Sequence, residues 1–286
     1  RALKLEAGAR FEHARITAQP GAGQPQFFSG ERRFDTLSLS GGASYAVLPG
    51  WRLGLALSRT ERAPAAEELF ANGPHAGTEA YQIGDPHLGI ERATSVEASF
   101  KGGDADLGAE LSAYYIWFSK FIYDARTGAA IDGLPVYQGR QDDARWYGFE
   151  AEGHATLARL GGWKLAADGL VDAVWATIDG YGPAPRIPPL RLLGGIEATS
   201  RKLDLRAEAE HVTAQNRVAL NETPTPAYTV VNLSAHWRPW GEDRPVTFAL
   251  SANNLFDVVA RRHASFLKDY APLAGRDIRL TARVEL

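Results

Sequence analysis

An all-β fold, an antiparallel transmembrane β-barrel, is what three observations predict for this chain of 286 residues. They are strict two-residue alternation over long runs, connections that switch between tight turns and long loops, and aromatics gathered near strand ends. The alternation begins at once. Leu3, Leu5, Ala7, Ala9 and Phe11 share one parity and Lys4, Glu6, Gly8, Arg10 and Glu12 the other, which gives a strand with one apolar and one wet face. The pattern recurs from Trp163 to Trp175 and from Ile278 to Leu286. Further runs lie near 34–48, 51–62, 93–102, 106–124, 136–157, 189–200, 202–214, 227–238 and 246–260, about twelve strands in all by the alternation rule.

Tight turns are expected at Pro49-Gly50, Gly102-Gly103-Asp104, Arg159 to Gly162, Ser200-Arg201 and Pro239 to Arg244. Long loops are expected at about 17–33, 63–92, 124–136, 178–188, 214–227 and 261–275. A meander with turns on one side and loops on the other is the outer-membrane barrel plan. The alternative is a soluble sandwich or propeller. Against it, the strands run past the usual length of about five or six residues, and no fixed-period repeat is visible.

Aromatics give an independent test, because a membrane barrel carries Trp and Tyr level with its two interfaces. Tyr45, Trp51, Phe100, Trp163, Trp237 and Trp240 lie beside the short turns. Tyr115, Trp117, Tyr123, Trp146, Tyr147, Trp175 and Tyr228 lie toward the loops. Charged residues of the other parity, among them Arg52, Glu97, Glu110, Glu150, Glu152, Asp168, Asp172, Arg206 and Glu208, are costly against lipid and are expected in a polar lumen.

Composition bounds function by exclusion. A net charge of −3 and a pI of about 6.2 give no electrostatic case for nucleic acid. The absence of cysteine removes disulfides and thiolate metal sites. No apolar run approaches the roughly 18 residues of a spanning helix, a test blind to barrels. No phosphate loop, nucleophile elbow or His-Glu-x-x-His helix is present, so no enzyme is expected. The chain has no methionine and opens at Arg1 inside an alternating run; it reads as a piece of a longer one.

The longest break in the strand pattern, Ser58 to Glu91, is where a ligand is expected to bind. Pro64 followed by Ala-Ala-Glu-Glu-Leu-Phe-Ala predicts a short helix, stopped at Asn72-Gly73-Pro74. His75, Glu79, Asp85 and His87 follow in a Gly/Pro-punctuated polar segment.

This stretch, IWFSKFIYDA from Ile116, YQGRQDDARWYGFEAEG from Tyr137 and above all SANNLFDVVARRHASFLKDYAPLAGRDIRLTARVEL from Ser251 resemble the C-terminal part of TonB-dependent outer-membrane receptors. The resemblance covers essentially all of residues 1–286. The most specific pieces are Asn253-Asn254-Leu255-Phe256-Asp257, Gly275-Arg276 and the run from Arg62-Ala63-Pro64 to Glu67-Glu68-Leu69-Phe70. One departure is the ending on Leu286, where the family usually has an aromatic. The resemblance implies the last twelve or so strands of a twenty-two-stranded barrel filled by a plug, with the plug and the first strands absent. It implies the outer membrane of a Gram-negative bacterium, contact with outer-membrane lipid, and energy supplied by the TonB complex through the missing N-terminal part.

Within that family, FANGPHAGTEAYQIGDPHLGIE and RRHASFLKDYAPLAGR look most like zinc-uptake receptors, so the cargo expected is Zn²⁺, with no resident cofactor. Imidazole and carboxylate are suitable zinc ligands at about 2.0–2.2 Å. The candidates are His75, His87, Glu79 and Asp85, then His263 and Asp269 in the last external loop. Other readings are a receptor for a ferric siderophore, haem or cobalamin, and a plug-free pore or structural barrel. For any single histidine the bland reading is a surface or lumen residue. His13 and His211 have lipid-side parity, while His154 and His236 point inward near the short turns. Gln141-Asp142-Asp143-Ala144-Arg145 reads as a charged run rather than a metal grip, because neighbours on a strand face opposite ways.

Overall fold

In the computed structural model, residues 2–21, 27–241 and 246–284 are described. The chain runs through β1 (Leu3–Ala18), β2 (Gly30–Leu48) and β3 (Trp51–Arg62) to helix α1 (Ala66–Phe70). Two short strands follow, β4 (Asn72–His75) and β5 (Ala80–Ile83), then β6 (Glu91–Gly103), β7 (Leu107–Ile131), β8 (Leu134–Leu160) and β9 (Trp163–Ile178). After the two-residue β10 (Gly182–Pro183) come β11 (Arg191–Thr199), β12 (Leu203–Val212), β13 (Tyr228–Trp237), β14 (Val246–Asn253) and β15 (Asp277–Val284). The long strands pair in the order β1-β2-β3-β6-β7-β8-β9-β11-β12-β13-β14-β15. That is the expected antiparallel meander of twelve strands, with β1 and β15 at its edges.

Register turns the alternation into two continuous faces. Leu5 lies opposite Ala43, Ala43 opposite Leu55 and Leu55 opposite Ala98. The row continues through Ala113, Phe149 and Ala173. Leu5, Leu55, Leu57, Ile278 and Leu280 are exposed, a face that suits lipid and would be an aggregation hazard in water. The opposite face is polar. Ser112, Glu150, Asp172 and Arg191 follow one another across four strands. Charges there are partly paired: Arg191 Nε with Asp172 at 2.7 Å, Arg206 with Asp168 at 2.5 Å and with Glu208 at 2.8 Å.

Because the sheet's inner face is wet, the apolar cores sit at the loop end. In one, Leu69, Phe70, Leu88, Phe34 and Ile122 are buried, with Ala14, Ile16 and Ala18 packed on them. In the other, Tyr123, Ala125, Ala144, Ala176, Ile178, Ala184 and Ile187 are buried against Phe118, Phe121 and Trp146. Arg62 ties the first core together. Its guanidinium bonds Glu91 at 3.1 Å and Glu68 at 2.8 Å, and Glu91 also accepts the Ile122 amide at 2.7 Å. The Glu68 carboxylate reaches back to the Ala65 amide at 2.7 Å, capping α1.

The structure corrects the sequence reading at several points. Residues 124–136 are not a loop, since β7 and β8 run on as a hairpin that turns at Asp132-Gly133. Strand β14 ends at Asn253, because Asn254 and Asp257 both take positive φ. Asn72-Gly73-Pro74 ends the helix by starting β4, which pairs with β5. Tyr123 and Trp146 belong to the inner core and not to the lipid interface. Residues Glu285 and Leu286, and the turn positions 242–245, lie outside the described residues.

The two last long loops are joined by buried charge. Lys268, 5% exposed, donates to Glu222 at 2.9 Å. His263, 3% exposed, lies 3.3 Å from the same carboxylate through Nε2 and 2.9 Å from Thr225 Oγ1 through Nδ1. Glu222 further accepts the amides of Arg186 and Ala219. Burial pushes the Glu222 carboxyl up, but bonds from His263, the Ala219 amide and Lys268 outweigh it and hold it at about 2.

Two outcomes follow from these faces and this clamp. Leu55→Arg puts a cation in mid-band on the lipid face and should cost about 2–4 kcal/mol in refolding into vesicles. Ala56→Arg, on the opposite face beside Glu97, should cost far less; the reverse order would refute the assignment of faces. Since the folded value of Glu222 lies below its ordinary 4.5, its contribution is complete above pH 4.5 and is lost as pH falls toward 2. Pepsin cleavage of the 213–227 and 261–275 loops should therefore rise across that window, and Glu222→Gln should flatten the rise.

Candidate functional site

The long-loop end of the sheet gathers the candidate residues, and it separates them into three settings. His75 closes β4 and stands exposed at the tip of the β4–β5 hairpin, with Nδ1 3.1 Å from Thr78 Oγ1. Glu79, also exposed, sits in the same turn at φ 48°. The hairpin is held from behind, where β5 runs parallel to β8 with Tyr81 opposite Val136. Asp85 and His87 form a second setting past β5. The Asp85 carboxylate accepts the His87 amide at 2.8 Å, a side-chain turn that leads into buried Leu88. The His87 ring itself is exposed.

His263 and Asp269 make the third setting, at the clamp. Both His263 nitrogens already face partners. Asp269 accepts Thr223 Oγ1 at 2.7 and 2.9 Å, so it too is spent in joining the two loops. Among the described residues, no three His, Asp or Glu side chains converge as a metal-binding group. The run at 141–145 is divided as its parity requires. Asp142 accepts the Tyr123 hydroxyl at 2.8 Å, Asp143 accepts the Lys120 amide at 3.0 Å and Arg145 pairs with Asp179.

Sequence reasoning did not single out a cleft beside the clamp. It is lined by Arg126, Tyr137, Tyr181, Arg186, Phe266 and Lys268, with Glu222 and Asp269 at its wall. The Arg186 guanidinium lies 3.9 Å from the centre of the Phe266 ring, and Phe266 meets Tyr137 edge-on at 5.9 Å. Arg126 donates to the Asn221 carbonyl at 2.7 Å. Cations beside aromatic faces suit an anionic, oxygen-rich group. The volume is about 40 Å³, room for roughly three waters. The sequence signal was present but scattered: a hairpin end and two loops each bring a cation with an aromatic, and no periodicity links them.

Residues 2–255 match the family model described as TonB dependent receptor-like, beta-barrel. Among solved structures, the copper transporter OprC superposes with a TM-score of 0.81 at 18% identity, over 99% of this chain and 45% of that one. The FrpB iron transporter from Neisseria meningitidis gives 0.72 at 16% identity, over 99% and 43%. The ferric-catecholate import receptor Fiu from K12 E. coli gives 0.69 at 16% identity, over 99% and 42%. The chain thus spans less than half the length of each of these. With its alternating faces, loop-end cores and family match, it belongs to the TonB-dependent receptor-like β-barrel family.

Proposed function

We propose that this chain is the C-terminal barrel portion of an outer-membrane importer, energised through TonB, whose cargo is zinc. The observation that carries the reading is His75, an exposed imidazole at the tip of a braced hairpin on the loop side. Glu79 stands in the same turn, and His87 and Asp85 follow within the same connection. An imidazole open to solvent can take a metal without breaking a buried bond, which His263 cannot. The ligands here are too few for a closed site, as transport requires, and the set is completed by parts of the protein beyond this chain. The structural relatives named above carry copper, iron and ferric catecholate, so a metal species is the cargo class proposed.

A second reading, an anionic metal chelate, is favoured by Arg126 and Arg186 beside Tyr137, Tyr181 and Phe266. Size supports the first. Ligand-sized pockets run to about 300–1,000 Å³, whereas this cleft is about 40 Å³. It is on the scale of an ion with a few waters.

In cells carrying the full-length protein, His75→Ala should raise the zinc concentration needed for half-maximal growth about tenfold, the equivalent of roughly 1.4 kcal/mol of lost capture. Unchanged zinc-limited growth in that variant would count against the site. Arg126→Ala with Arg186→Ala should leave zinc uptake intact; loss of ferric-chelate uptake in that double variant would favour the second reading. Sequencing upstream of Arg1 should reveal a plug-sized domain and a signal peptide, and an open reading frame lacking both would leave the pore reading.

A further inference from the structure

The cleft beside the clamp holds two charged side chains that the surrounding loops leave unspent. The end of the β7–β8 hairpin brings Asp124 and Tyr137 to it, the stretch after β9 brings Tyr181 and Arg186, and the last two long loops bring Leu220 and Phe266. Other charges at its wall are already engaged. Lys268 donates to Glu222 at 2.9 Å, Asp269 accepts Thr223 Oγ1 at 2.7 Å, and Arg126 spends a donor on the Asn221 carbonyl.

Asp124 and Arg186 differ from these. Among the described residues no donor is bonded to the Asp124 carboxylate, although the residue is half-buried. Burial pushes that carboxyl up, and the neighbouring Arg186 charge offsets only part of the rise. The Arg186 guanidinium lies 3.9 Å from the centre of the Phe266 ring and, among the described residues, donates to no side chain or carbonyl. Its five N–H groups are open. The two side chains sense each other across the cleft without bonding.

Arg186 is also held against its own preference. Its φ of 59° is left-handed, a region that non-glycine residues rarely occupy, and the Glu222 carboxylate fixes this backbone by accepting its amide at 2.9 Å. Strain of this kind persists where the surroundings over-determine a conformation, and it gathers at ligand clamps. The result is a guanidinium pinned over an aromatic ring, with little freedom left to lose on binding.

The lining charges cancel: Arg126, Arg186 and Lys268 stand against Asp124, Glu222 and Asp269. A simple anion would leave Asp124 unmatched, and a simple cation would leave Arg186 unmatched. A ligand carrying both charges satisfies both. The α-amino-acid head does so compactly, its nitrogen and two oxygens taking the places of about three waters in a volume of about 40 Å³. The rest of such a ligand passes outward over Pro185 and Leu220, the latter 63% exposed at the rim.

We propose that this cleft binds the zwitterionic head of an α-amino acid, its carboxylate on the Arg186 guanidinium and its ammonium on Asp124. An arginine fork takes a carboxylate through two parallel N–H···O bonds, and the ammonium supplies the counter-charge that Asp124 lacks. A free amino acid and the end of a larger chelator present the same head. His75 does not line the cleft, so the inference goes beyond the zinc reading and stands or falls apart from it.

The test is calorimetric titration of the full-length protein in detergent micelles with L-leucine, with L-leucinamide, which lacks the carboxylate, and with N-acetyl-L-leucine, which lacks the ammonium. Leucine should bind about tenfold or more tighter than either blocked form. Arg186→Gln should erase the preference over leucinamide alone, and Asp124→Asn the preference over N-acetyl-leucine alone, a crossed pattern that a general loosening of the loops does not produce. Lysine acylated at its side-chain nitrogen separates the two sources, since tighter binding than leucine assigns the head to a larger chelator and weaker binding assigns it to a free amino acid. N-acetyl-leucine binding as tightly as leucine would overturn the proposal in favour of the anionic chelate. Equal binding of all three, or binding of none, would overturn it as well, and these comparisons need no variant to fold. So would unchanged preferences in variants that keep the melting temperature of the unaltered protein.

Discussion

Every backbone amide and carbonyl that crosses hydrocarbon has to find its partner within the protein, and this constraint shapes the rest of the molecule. A meander answers it by pairing each inner strand with both neighbours, as β6 shows with Phe100 opposite Leu53 on one side and Leu111 on the other, while β1 and β15 each leave one edge unpaired among the described residues. Once the ladder is continuous, side chains have only two destinations. Lipid takes Leu55 and Leu280, and the lumen takes Glu150 and Asp172. No central hydrophobic core is left to hold the sheet. Buried apolar groups gather where strands leave the membrane, around Leu69 and Phe70 and around Ala176 and Ile178.

That displacement explains how the mouth is ordered. Ordinary loops at this height would be mobile, yet here they are fixed by charge placed in low dielectric. Arg62 joins β3, α1 and β6 through two carboxylates, and Lys268 and His263 share the Glu222 carboxylate between two loops. A buried ion with one partner removed is strongly unfavourable, so each hub confines its loops to one arrangement. The β4–β5 hairpin gains its position from this framework while its tip stays free. It is a rigidly mounted element with an exposed end, the geometry suited to presenting ligands to something arriving from outside.

Legibility in the sequence followed the environment. Where one face meets lipid and the other water, parity decides orientation, and the twelve long strands and the lumen charges could be read from residues such as Leu3 to Glu12. Above the membrane that rule loses force. Residues 124–136 carry Gly128, Asp132 and Gly133, which point to a loop, but the hairpin persists because cross-strand pairing and packing on Tyr123 sustain it. Place in sequence puts Tyr123 and Trp146 at the interface, but a bulge between Phe118 and Phe121 turns Tyr123 inward, and Trp146 shares the inward parity of Glu150 on β8. Strands β4 and β5, of four residues each, are too short to show a period. The cleft of Arg126, Arg186 and Lys268 was hidden for another reason: its residues are far apart in sequence and meet only through loop packing.

Burial sorts the histidines in a way that sequence could not. His75 and His263 carry similar sequence signals, each in a long polar loop near carboxylates, and sequence alone makes both candidates for one role. In the fold they differ by what binding a metal would cost. His263 is enclosed, with Thr225 on one nitrogen and Glu222 on the other; a metal there would have to displace a partner and leave a buried polar group unmet, a loss of about 1–3 kcal/mol before any gain. His75 exchanges only a water and a marginal contact with Thr78. The same donor atom is therefore structural in one loop and available in the other. A residue type names a candidate ligand, and the polar atoms already around it decide whether it is free to act as one.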